Sequence, residues 1–164
     1  MGMDRKEEVL EVAFRLFAEK GYQVSMSDIA ERVGIKTPSL YSHFTNKDEI
    51  IYRMVEKLVG KLFDHMDRTL DASQYMSSGE ILKNIFFASM KFNDYDRLRV
   101  YRRLPFIEKE DLRDRCIGII RENEGAFIGR LIGVINEGIR SGEIHEVVEK
   151  SIIALFMAML QGNL

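Results

Sequence analysis

Two prolines, one cysteine and no long uninterrupted apolar run occur in these 164 residues, and each shortage excludes something. With so little proline, 46% apolar residues and 30% charged ones, the chain reads as globular rather than disordered. A single Cys116 leaves no internal disulfide, which fits a reducing compartment and a small buried side chain on an apolar helix face. Charged residues interrupt every apolar stretch before it reaches membrane-spanning length. Met1 to Lys6 leads directly into a charged amphipathic pattern instead of a signal peptide's apolar core, so a cytoplasmic protein is expected.

Catalytic and metal signatures are also missing. His43, His65 and His145 stand far apart, no HExxH or CxxC occurs, and no glycine-rich phosphate loop precedes a helix. No catalytic residue, metal ligand or cofactor is therefore assigned. Nor is there an excess of positive charge: the net charge is −2. Residues 1–47 balance as well, with Arg5, Lys6, Arg15, Lys20, Arg32, Lys36 and Lys47 against Asp4, Glu7, Glu8, Glu11, Glu19, Asp28 and Glu31. Any binding to nucleic acid must rest on a local surface. Residues 33–47 offer one, carrying Lys36 and Lys47 and no acid.

What the chain does have is helical periodicity. Val9, Leu10, Ala13, Leu16 and Phe17 form one apolar stripe over residues 4–20, opened by Asp4 as N-cap and closed by Gly21. Ser25 with Asp28 three residues later resembles a capping box and starts a short second helix through Ile29, Ala30 and Val33 to Gly34. After a tight turn, Thr37 before Pro38 starts a third, with Leu40 and Phe44 facing inward. Thr45 or Asn46 caps a long fourth helix from Lys47 through Met66. A polar break at Ala72–Ser78 precedes helices over 79–92, over 94–104 (ended by Pro105) and from Asp111 to Ser141. A last helix runs from near Glu146 to Leu160. No alternating segment is long enough for a strand, so the class is all-α. The N-terminal domain is 1–47 and a helical domain fills 48–164.

Two short helices joined by a tight turn and buttressed by a preceding one are the arrangement of helix-turn-helix DNA readers, here over residues 25–44. Lys36, Thr37, Pro38 and Ser39 crowd the N-terminus of the reading helix, where short side chains let the backbone approach base edges. Lys36 suits guanine and the Thr37 methyl suits thymine. Tyr41, His43 and Lys47 are placed for phosphate, and Ser25 and Ser27 on the first helix of the pair complete the candidate contacts with double-stranded DNA.

Residues 4–50 resemble the DNA-binding domain of the TetR family of bacterial transcriptional regulators. The likeness lies in VLEVAFRLFAEKGY, SMSDIAERVGI and TPSLYSHFTNKDEI together, with a Gly21–Ile29 connection one residue shorter than usual. It implies a homodimeric repressor on a palindromic operator, released by a small effector that binds in the helical domain. INEGIRSGEI, residues 135–144, is similar to the turn before the family's penultimate helix. The resemblance also implies dimerisation through the last two helices, of which this sequence carries one, ending in FMAMLQGNL; the expectation is of a chain short of its last helix.

The methionine- and phenylalanine-rich stretch 54–106 reads first as core, since methionine fills irregular gaps. Within it, Phe86, Phe87, Met90, Tyr101 and Phe106 are the candidate lining for an apolar or aromatic effector, with Arg99 or Arg102 to meet a carboxylate. The alternative for both arginines is a solvated basic face. The rival reading for the whole chain is a helical sensor or interaction protein without operator binding. A true reader loses affinity steeply as salt rises, and that separates the two.

Overall fold

The computed structural model describes residues 4–92, 94–146 and 149–160, the side chains of Glu149, Met159 and Leu160 excepted. The described residues form eight α-helices and no strand. These are α1 (Arg5–Lys20), α2 (Met26–Val33), α3 (Thr37–Tyr41), α4 (Lys47–Ala72), α5 (Ser78–Phe92), α6 (Tyr95–Arg103), α7 (Glu110–Ser141) and α8 (Glu149–Leu160). Single 3₁₀ turns follow α1 at Gly21–Gln23 and α6 at Leu104–Phe106. The expected start of the last helix near Glu146 abuts residues 147–148, and the QGNL end is 161–164; both lie outside the described residues. No described helix is long and apolar enough to cross a membrane.

The chain forms two compact units, Met1–Leu58 with Tyr95–Ile119, and Val59–Asp94 with Ile120–Leu164. Helices α4 and α7 contribute residues to both.

In the first unit α1 packs on α2 and on α6, and α2 packs on α3. The stripe Val9, Ala13, Leu16 and Phe17 is buried with Ile29, Leu40, Ile50 and Val55. Leu40 anchors the five-residue α3, which is too short to hold together alone. Burying one such side chain contributes about 1.5–3 kcal/mol. From further along the chain Val100, Leu104, Ile107, Leu112 and Cys116 join this core.

Local sequence sets the helix ends. Asp4 caps α1 by accepting the Lys6 amide. Ser25 and Asp28 make the reciprocal capping box of α2. At the other end Gly34 takes the left-handed conformation at φ 78°, ψ 30°. The Ile35 amide then reaches back to the Ala30 carbonyl at 3.0 Å, the bond of a Schellman motif that turns the chain toward α3. Asn46 caps α4 by accepting the Glu49 amide at 2.9 Å, while the Glu49 carboxylate takes the Thr45 amide at 2.7 Å.

One detail differs from the sequence reading. Gly21 does have a positive φ of 63°, but with ψ −143° it opens a 3₁₀ turn instead of simply ending α1. α3 opens at Thr37 as expected, with Lys36 in the N-cap position. Pro38 at the second helical position still loses no bond, because that amide has no intrahelical acceptor.

The second unit closes on Val59, Leu62, Met66, Ile85, Leu131 and Ile135. Phe127 stacks on Phe156 with ring centroids 5.7 Å apart and meets Phe63 at a tilt, 6.0 Å away. Asp67 and Asp71, one turn apart on α4, hold the Arg130 guanidinium of α7. The turn after α7 uses Gly142 at φ 80° and folds Ile144 back so closely that a Cβ on Gly138 would stand 2.5 Å from the Ile144 Cδ1.

Candidate nucleic-acid interface

The Schellman turn at Gly34 leaves the α3 N-terminus projecting. Lys36, Pro38 and Ser39 are exposed, Thr37 is half-buried, and Tyr41 keeps 54% of its surface. The Lys36 carbonyl is already taken by the Ser39 and Leu40 amides at 2.9 and 3.3 Å, so its side chain alone is available to reach outward. One turn later the Ser42 hydroxyl donates to the Ser39 carbonyl at 2.7 Å and His43 lies half-buried. With its oxygen committed to the α2 cap, Ser25 can offer a ligand little beyond that hydroxyl's remaining capacity, whereas Ser27 is exposed on the first turn of α2. Lys20 with Ser25 keeps Asp28 well below the usual carboxylate range, so this acid is neutralised locally.

Lys47 has a more constrained setting than its place at the start of α4 foretells. Its ammonium donates to the Tyr22 carbonyl at 2.8 Å and lies 3.8 Å from the centroid of the Tyr22 ring. Two of its three protons remain for another acceptor. The Tyr22 hydroxyl in turn donates to Asp48 at 3.0 Å, and Lys109 donates to the other Asp48 oxygen at 2.6 Å. Burial, then the Asp48 carboxylate and the charge of Glu108, push the Tyr22 hydroxyl up to about 12. Burial also pulls Asp48 upward, but the bonds from Lys109 and Tyr22 and the charges of Lys109 and Lys47 outweigh it and leave it below its ordinary value.

A second tie joins the same edges. Arg103 at the end of α6 donates to the Glu19 carbonyl at 2.9 Å, satisfying an orphan acceptor at the C-terminus of α1. Gln23 donates to Glu108 at 2.9 Å. Tyr22, Asp48, Arg103 and Lys109 are thus polar residues of this unit that spacing along the sequence did not single out. The one signal for any of them was the aromatic ring directly after Gly21.

This is a helix-turn-helix with its second helix exposed, and residues 9–54 match the sequence pattern described as bacterial regulatory proteins, tetR family. Residues 9–54 are a TetR-family DNA-binding domain. Similar proteins include the fatty acid metabolism regulator protein of Bacillus subtilis, 26% identical over 96% of this chain and 78% of its own length. Another is the transcriptional repressor KstR2 of Mycobacterium tuberculosis, 26% identical over 93% of this chain and 76% of that one. The solved structure of FadR from Bacillus subtilis in complex with stearoyl-CoA superposes with a TM-score of 0.67 at 25% identity, covering 95% of this chain and 81% of that one. That domain makes the chain a DNA-binding transcription regulator, of a family of regulators rather than enzymes.

The candidate effector residues divide between the two units. Arg99, Tyr101, Arg102 and Phe106 belong to the first, with Arg99 over the Tyr95 ring at 5.3 Å and Phe106 80% exposed. Phe86, Phe87 and Met90 belong to the second. There Phe86 meets Phe87 edge to face at 5.8 Å. Phe87 also lines a groove of about 550 Å³ with Met76, Ala72, Ala88, Arg68 and Lys91. Among the described residues no group of three His, Cys, Asp or Glu side chains could hold a metal ion.

Proposed function

We propose that this regulator is a homodimeric repressor that occupies a near-palindromic operator with two copies of α3 and leaves it when an apolar small molecule binds its helical domain. The observation that carries the reading is the exposed α3 N-terminus, cationic and free of acid over residues 33–47. Lys36 and Thr37 read base edges there, with Pro38 and Ser39 keeping the approach close. Tyr41, His43 and Lys47 hold phosphates and so set register, and Ser27, helped by Ser25, contributes from α2. Two-fold symmetry in the protein calls for two-fold symmetry in the site. An apolar effector is supported by the relatives, one named for fatty acid metabolism and one solved with stearoyl-CoA. Phe86, Phe87 and Met90 supply apolar surface for it in the second unit.

Selection from a random duplex pool, with Tyr41→Ala as control, tests the reading. The expected product is an inverted repeat with half-sites about 10 base pairs apart, or a multiple of that. Lys36→Ala or Thr37→Ala should then change the preferred sequence, whereas Tyr41→Phe should weaken binding to all sequences. A verified dimer that enriches nothing would overturn the operator, and an unchanged preference across substitutions at 36–39 would overturn the readout. Phe86→Ala should alter release by acyl compounds at unchanged operator affinity. If it lowers only the melting temperature, Phe86 is core.

A further inference from the structure

We propose that Lys109, a residue outside the helix-turn-helix, is a positioning residue for operator binding: by occupying Asp48 it keeps the Lys47 ammonium on Tyr22 and available to phosphate. The proposal rests on the reading that Lys47 meets a phosphate. Its basis is a chain of contacts within the first unit. Lys109 donates to Asp48 at 2.6 Å, Tyr22 donates to Asp48 at 3.0 Å, and Lys47 donates to the Tyr22 carbonyl at 2.8 Å while lying on its ring.

Asp48 is the immediate neighbour of Lys47 and its charge already acts on that carboxyl. An acid at this point competes with DNA phosphate for the same cation. Tyr22 fills one side of the carboxylate and Lys109 the other, so the competition is suppressed only while Lys109 is in place.

The segment is built to hold Lys109 there. Ile107 is buried, Glu108 accepts from Gln23 next to Tyr22 at 2.9 Å, and the Lys109 carbonyl accepts the Arg113 amide at 3.0 Å as α7 begins. Stability alone is a poor reason for the pair, because the Lys109 side chain is 54% exposed and such pairs contribute little to folding. Its consequence falls on the neighbouring cation instead.

Phosphate contacts are independent of sequence, so the test uses a duplex of arbitrary sequence, about 25 base pairs long to span two half-sites. Affinity is measured across a salt series for the full chain. Lys109→Met is expected to weaken binding roughly three- to ten-fold and to flatten the salt dependence, by at most about 0.9 in logarithmic slope per protomer, since one cation is lost to Asp48. Lys109→Arg keeps the pair and should bind like the parent. In an Asp48→Asn background, where the asparagine oxygen still accepts from Tyr22, Lys109→Met should have no effect, because nothing competes for Lys47. In a Lys47→Ala background it should also have none.

An equal loss in the Lys47→Ala background would make Lys109 a structural residue and overturn the proposal. So would parent-like binding by Lys109→Met when Lys47→Ala alone binds weakly, although the phosphate reading of Lys47 would then stand. Parent-like affinity and slope in Lys47→Ala itself would instead remove that reading, and the proposal with it.

Discussion

Tyr22 retains its hydroxyl proton to a higher pH than an ordinary tyrosine, because the charged form would be half-buried beside Asp48. A folded-state value of about 12 against an ordinary 10.0 means that the group stabilises the fold fully below pH 10.0 and that this contribution is lost as pH rises toward 12. Tyr22 should therefore ionise near 12 in a phenolate absorbance titration of the folded protein. Tyr22→Phe should remove absorbance from the part of the curve near 12; if it instead removes it near pH 10, the Asp48 contact is absent in solution. Cys116 gives a second residue-scale expectation. It is fully buried and burial pushes its thiol up to about 11, so a thiol reagent should label it only under denaturing conditions. Rapid labelling of the native protein would show that this part of the first unit opens readily.

At the scale of single helices, α7 holds glycines in opposite settings. A Cβ at Gly125 or Gly129 would meet nothing within 4 Å. Glycine costs a helix interior about 0.5–1 kcal/mol relative to alanine, so Gly125→Ala and Gly129→Ala should each stabilise by about that much. At Gly138 the added Cβ would approach the Ile144 side chain to 2.5 Å and the Ser78 Cβ to 2.8 Å. Overpacking of this kind costs about 1–3 kcal/mol, so Gly138→Ala should destabilise in spite of its better helix propensity. Chemical denaturation of the three variants checks the sign, and a stabilised Gly138→Ala would show that the turn relaxes freely.

The same distinction between local and distant causes explains what the sequence made legible. Capping residues act on amides within four positions, so the ends of α1, α2 and α4 could be read from Asp4, Ser25 with Asp28, and Asn46. Gly34 was readable as the turn for the same reason. The start of α3 at Thr37 was readable from the proline that follows it, since Pro38 loses no hydrogen bond in the first turn. Tyr22 bonds to Asp48 across 26 positions, Lys109 to Asp48 across 61, and Arg103 to the Glu19 carbonyl across 84. No periodicity encodes such pairings, so the attachment of α6 and the start of α7 to the reading module emerged only from the fold. The division of the candidate effector residues between the two units was illegible for a related reason: composition located apolar side chains but not the unit to which each belongs.

For the molecule as a whole, a net charge of −2 means that long-range attraction cannot account for DNA binding. Affinity must come from a few cations at short range, and the number of them is measurable. Each phosphate neutralised on duplex DNA contributes about 0.9 to the slope of log affinity against log salt, and in a homodimer every such contact counts twice. Lys47→Ala should therefore flatten the slope by about 2, whereas Tyr41→Phe, which removes a neutral hydroxyl, should weaken binding at every salt concentration with the slope unchanged. A salt titration of both variants on the same duplex distinguishes charge from hydrogen bonding at the two positions. A slope change near 1 for Lys47→Ala would mean that only one protomer engages the duplex, and the two-fold operator would then have to be abandoned even with α3 retained as the reading helix.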